Sequence, residues 1–163
     1  VYTNDDVFGV NTVSAFRVDD SGNLARIKHS PFLTGGRGSG DGYFGAKRIV
    51  TSPTGNFIFV SNAGDNSVSV FSIDPGTGFP TLVPGSPFSV TGTFNVTQAI
   101  TLAATNDGRF LFACGTEGCD ITVFTIAAGG ALAPVQGSPF KGCDGVNSVV
   151  KSEGGMKATP DGK

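Results

Sequence analysis

Tryptophan is absent from these 163 residues, histidine and methionine occur once each, and only 15% of positions carry charge. With His29 as the lone imidazole, a centre built on several histidines is excluded. No apolar run reaches the 18 residues that a membrane-crossing helix needs, so membrane insertion is not expected. The formal net charge is only −2 and no block of like charge occurs, which argues against nucleic acid and anionic membrane surfaces as partners. The opening Val1-Tyr2-Thr3-Asn4-Asp5-Asp6 has neither the basic start nor the apolar core of a secretory leader. If the protein is exported, that leader has already been removed.

What is abundant is turn chemistry and phenylalanine: 25 glycines, nine prolines and 14 Phe describe an all-β chain with closely spaced turns. Its organising stretch is Lys47 to Phe71. Arg48-Ile49-Val50-Thr51-Ser52 leads into the turn Pro53-Thr54-Gly55-Asn56, then Phe57 to Asn62, a second turn, and Ser67 to Phe71. The pattern returns about 53 residues later as Thr101 to Thr105, the turn Asn106-Asp107-Gly108-Arg109, Phe110 to Cys114, and Asp120 to Phe124. A period near 50 made only of short strands indicates a β-propeller of four-stranded antiparallel blades.

In chain order, residues 1–45 form an incomplete blade and a long glycine-rich connection, 46–97 a blade, 98–154 a second blade, and 155–163 the inner strand of a next one. Val1 to Asn4 matches Phe59 to Asn62, so the first blade starts on its second strand. Ser-Pro-Phe recurs at 30–32, 86–88 and 138–140, just past each fourth strand. Proline suits an outer edge that must not recruit another strand, and each Phe is placed to fill the gap between blades. About three blades do not close a ring by themselves. The chain is expected to be a piece of a larger propeller, or else a companion chain or further copies complete the circle.

Cys114 ends one strand and Cys119 begins the next across Gly115-Thr116-Glu117-Gly118, a spacing that permits a disulfide over a hairpin mouth; Cys143 is left over. Neither a metal site nor a cofactor site is legible. With the sequon Asn95-Val96-Thr97, these cysteines lean towards a secreted or periplasmic location.

Phe59-Val60-Ser61-Asn62 followed by Asn66 to Phe71 resembles the Tyr-Val-Thr-Asn type of propeller repeat, as does Val1-Tyr2-Thr3-Asn4. Together with the run Thr34 to Gly40, Gly45-Ala46, Ser52 to Gly55 and Ser61 to Gly64, the sequence resembles the lactonase family of seven-bladed propellers. That family includes 6-phosphogluconolactonase-like proteins and fungal carboxymuconate-lactonising enzymes. The resemblance implies a ring of about 350 residues at this period. It also implies action on a lactone or a muconate-type carboxylic acid. The His, Glu and Arg trio of the fungal enzymes has no counterpart here, so no catalytic role is carried over.

In a propeller the connections between blades and the second-to-third-strand loops emerge on one face. Here they bear Arg37 and Asp41, with Lys47 and Arg48 at the start of an inner strand. Lactone hydrolysis needs a base to activate water and a cation for the developing oxyanion, roles these four residues can supply. The plainer reading makes Arg37 a salt-bridge partner that stiffens a glycine-rich loop. A non-catalytic exported propeller serving as a binding or surface scaffold is the alternative function. A channel filled by Ile49, Leu102 and Met156 favours that alternative, and a polar funnel favours the enzyme.

Overall fold

The computed structural model describes residues 1–40, 48–92, 100–115, 120–142 and 156–159. Three antiparallel sheets account for all of its strands. The first comprises β1 (Tyr2–Asn4), β2 (Gly9–Val18), β3 (Leu24–Arg26) and β4 (Phe32–Gly38). The second holds β5 (Ile49–Thr51), β6 (Phe57–Asn62), β7 (Ser67–Ile73), β8 (Pro80–Leu82) and β9 (Phe88–Ser89). The third repeats that plan with β10 (Ile100–Ala104), β11 (Phe110–Gly115), β12 (Asp120–Ile126), β13 (Leu132–Pro134) and β14 (Phe140–Lys141). These are blades of a partial all-β propeller.

Turn chemistry fixes the hairpins between the first two strands of the complete blades. Gly55 and Gly108 adopt φ of 74° and 71°, a region open to glycine without a Cβ penalty. Ser52 Oγ and Thr105 Oγ1 accept the Phe57 and Phe110 N–H groups at 3.0 and 3.1 Å, closing each turn from its side.

Alternation then sorts the apolar side chains between blades. Ile58, Val60 and Phe71 turn towards the first sheet and pack on Val13. Phe59, Val68 and Val70 turn the other way, against Leu111 and Phe124 of the third sheet. Full burial of each such side chain contributes about 1.5–3 kcal/mol, so the blade interfaces are the core.

The fourth strand differs from the expectation. It is split: β8 pairs with the far half of β7 and β9 with its near half, while Ser86-Pro87 bridges the break. At the break Ser86 Oγ accepts the Val70 N–H at 3.0 Å in place of a backbone carbonyl. Ser30 and Ser138 do the same for Ala15 and Val123, at 2.9 and 3.0 Å. The Phe after each proline opens the second half of the strand. Phe32 stands edge-on to Phe79, with ring centroids 5.0 Å apart, and Phe88 packs on the core between second and third sheets.

Two further expectations are corrected. The stretch 29–45 is not only a connection, because Phe32–Gly38 forms the seven-residue β4 against β2. The match of Val1 to Asn4 with Phe59 to Asn62 slips by one residue in space. Tyr2 pairs with Ala15 as Phe59 pairs with Val70, so Asn4 takes the place of Ser61 and Asp5 that of Asn62. Such a slip exchanges the two faces of a strand. The cause lies between the paired positions: eight residues separate Asn4 from its partner Val13, where six separate Ser61 from Val68.

Candidate functional site

At the end of the blades where the second-to-third-strand loops emerge, the chain brings Arg48, Asp6 and Ser39 together. Arg48 immediately precedes the inner strand β5, Asp6 lies in the β1–β2 loop, and Ser39 follows β4. Arg48 Nη1 forms an ion pair with Asp6 Oδ2, their side chains being 9% and 4% exposed. Ser39 donates its N–H to Asp6 Oδ1 at 3.0 Å and its hydroxyl to Oδ2 at 2.6 Å. Two donors besides the guanidinium thus hold the carboxylate, as a buried charge requires. Asp6 itself adopts φ of 44°, and its carbonyl accepts the Gly40 N–H at 2.9 Å.

Arg37 stands differently. Its side chain is exposed, and among the described residues no carboxylate pairs with its guanidinium. Its backbone is what the neighbouring blade grips: the Arg37 N–H donates to Asp65 Oδ2 at 2.9 Å, and the Arg37 carbonyl accepts the Gly64 N–H at 2.8 Å. Asp41 and Lys47, expected beside Arg37 and Arg48, lie outside the described residues. Asp6 escaped the sequence reading because the connection that carries it has two residues more between paired positions than its counterpart in the second blade.

Close backbone approach explains the glycine run in β4. A Cβ on Gly36 would fall 2.3 Å from Asn62 Nδ2, and one on Gly38 2.3 Å from the Val7 carbonyl oxygen. Beneath the ion pair a buried amide network joins the sheets. Asn4 Nδ2 donates to the Ser61 carbonyl at 2.8 Å, and Asn11 Nδ2 to Asn62 Oδ1 at 3.0 Å.

At the opposite end, beside the first-to-second-strand turns, a cleft of about 750 Å³ opens between the inner strands. Ile49, Leu102 and Met156 line it together with Tyr2, and Asn106 and Lys157 add polar groups. Neither Arg48 nor Asp6 lines it.

Cys114 takes the place of Ser61 in the third blade. Its half-buried thiol donates to the Gly115 carbonyl at 3.4 Å, and burial, with a smaller contribution from the Asp120 charge, pushes its pKa up. The protonated thiol is a poor nucleophile. Cys119, its expected disulfide partner, is outside the described residues. His29 sits in the exposed β3–β4 turn at φ 69°, on the outer rim. Among the described residues no group of three or more His, Cys, Asp and Glu could hold a metal ion, and no helix is long and apolar enough to cross a membrane.

Comparison with known proteins bears on this geometry. A solved structure from Bacteroides fragilis, assigned as a 6-phosphogluconolactonase, is 25% identical with a TM-score of 0.65, over 83% of this chain and 34% of that one. A periplasmic gluconolactonase of Pseudomonas aeruginosa is 24% identical with a TM-score of 0.55, over 80% and 34% of the two chains. A functionally unknown protein of Desulfotomaculum acetoxidans is 21% identical with a TM-score of 0.59, over 83% and 40%. The last two likenesses carry the fold alone. The chain spans about a third of the length of the first of these structures, 34%. No curated protein sequence matches it. The profile of the lactonase family, described as a 7-bladed beta-propeller, matches residues 10–142, and the chain belongs to that family.

Proposed function

We propose that this polypeptide contributes to a lactone-processing propeller that acts on a lactone or muconate-type carboxylic acid at the end bearing Arg48 and Arg37. The observation that carries the reading is a cation at the start of an inner strand, held in place by a buried carboxylate of the preceding blade that Ser39, just after β4, also grips. Hydrolysis needs water to add to the lactone carbonyl, the ring C–O bond to break, and the proton to pass to the departing alkoxide. Asp41 is assigned the base. Arg37, Lys47 and Arg48 are assigned to the substrate's anionic group and the oxyanion. Further blades, from the same polypeptide, a companion chain or another copy, complete the channel. A secreted or periplasmic location accords with the periplasmic relative.

The test is turnover: proton release from aldonolactones and absorbance loss from carboxymuconate, with the wild type and Arg37→Ala. Turnover that falls at least a hundredfold in the variant supports the reading; an inert wild type across both substrate classes overturns it. A second reading, a non-catalytic exported scaffold, draws on the apolar lining that Ile49, Leu102 and Met156 give the opposite cleft. An inert wild type is the result it requires.

A further inference from the structure

The two covered blade faces share one contact across the boundary, a hydroxyl at the Ser69 position donating to a carbonyl of the preceding segment. In the second sheet Asn62 Nδ2 donates to Ser67 Oγ and Ser69 Oγ at 3.0 and 2.8 Å, while Asn62 Oδ1 accepts an amide N–H from Asn11 of the preceding sheet. Ser69 Oγ then donates to the Thr34 carbonyl of that sheet at 2.8 Å. The third sheet keeps the last contact, from Thr122 Oγ1 to the Thr91 carbonyl. Around these groups the apolar positions Ile58, Phe71 and Phe124 are buried.

The outward face of the first sheet carries the same positions without a cover. Val18, Leu24 and Leu33 are 52%, 56% and 64% exposed. Thr12 and Ser14 are the counterparts of Ser67 and Ser69, and Asp5 stands where Asn62 stands. The donors are reversed here: Thr12 Oγ1 and Ser14 Oγ give their protons to Asp5 Oδ2 at 2.7 and 2.9 Å, and Thr3 Oγ1 donates to Oδ1 at 3.0 Å. With its proton committed to Asp5, Ser14 has none for an incoming carbonyl. The carboxylate, unlike the Asn62 amide, offers only acceptor sites.

We infer that this face is a docking surface for a further propeller blade that presents an N–H donor, an Asn amide or a Lys or Arg cation, to Asp5 at the place Asn11 occupies opposite Asn62. Continuity with the two filled interfaces fixes the kind of partner, and the swap of amide for carboxylate fixes its donor. Closing the apolar face takes the Asp5 carboxylate out of water with three neutral hydroxyl donors on it and Arg26 one hydroxyl away, its Nη1 donating to Ser14 Oγ at 3.3 Å. A further N–H donor from the incoming blade offsets the lost hydration.

Hydroxyl-radical footprinting of the protein isolated from its source, whatever completes it being present, tests this. Leu24 and Leu33 should be oxidised at least fivefold more slowly than in the denatured chain. Asp5→Lys should restore labelling at least fivefold, and Asp5→Asn less than twofold, while Phe71 and Phe124 stay protected as the sign that the blades remain folded. Labelling of Leu24 and Leu33 at denatured rates overturns the inference. Protection that survives Asp5→Lys overturns the donor requirement. If Phe71 and Phe124 become labelled in Asp5→Lys, Asp5→Asn decides: restored labelling of Leu24 and Leu33 there also overturns it. Protection that grows with the concentration of the isolated 163-residue chain identifies the blade as one of a second copy; protection independent of concentration places it elsewhere in the same assembly.

Discussion

Gly36 and Asn62 meet across the boundary between the first two blades so closely that a methyl group on the glycine would lie 2.3 Å from the amide nitrogen. The asparagine cannot retreat, because its amide serves Ser67 and Ser69 of its own blade and its carbonyl serves Asn11 of the other. Gly36→Ala is therefore expected to destabilise the chain by about 2 kcal/mol through overpacking and a broken polar network. Urea denaturation measures this, and a change below about 0.5 kcal/mol would mean that Asn62 has room to move.

Removing Asp6 leaves Arg48 buried without its carboxylate. Asp6→Ala should cost about 3 kcal/mol, whereas the paired replacement Asp6→Leu with Arg48→Met should recover most of that loss. A double-mutant cycle read by denaturation compares them. Equal effects from the single and double variants would contradict a coupled pair.

His29 occupies, at φ 69°, the turn position that Gly85 and Gly137 fill at φ 90° and 85° in the other blades. A side chain there is strained by roughly 1–2 kcal/mol, offset in part by the larger unfolded-state entropy of glycine. His29→Gly should raise stability by about 0.5–1 kcal/mol. A lower melting temperature would show that the imidazole makes a compensating contact.

The exposed turn carboxylate of Asp107 is held down to a pKa of about 2, first by the Thr105 hydroxyl at 2.6 Å and then by the Arg109 N–H groups. Its folded pKa lies below the ordinary 3.8, so whatever the turn gains from this ionisation is present above about pH 4 and lost as the pH falls through 2. Carbon-detected titration of Asp107 should place its midpoint near 2; a midpoint at the ordinary value removes the Thr105 and Arg109 contacts as the cause.

The repeat and its turns were legible because Gly55 and Gly108 perform the same backbone task in both complete blades. The broken outer strand was not, because a serine hydroxyl at residues 30, 86 and 138 replaces a ladder carbonyl and leaves no hydrophobic signature. Sequence alone put Arg48 beside the channel but could not supply Asp6, whose pairing depends on how a loop of one blade reaches the first residue of the next. The slip of Val1 to Asn4 has a similar origin: four matching letters say nothing of two extra residues between paired positions, which shift their register by one.

Sandwich order has a consequence for how this molecule comes apart. The second sheet has a packed neighbour on each side, whereas the first and third are each clasped on a single side among the described residues. Burial on both faces withholds backbone hydrogen bonds from water more fully than burial on one. The amides of β6 and β7, central to the sheet clasped on both sides, should therefore be among the slowest of the described residues to exchange with solvent.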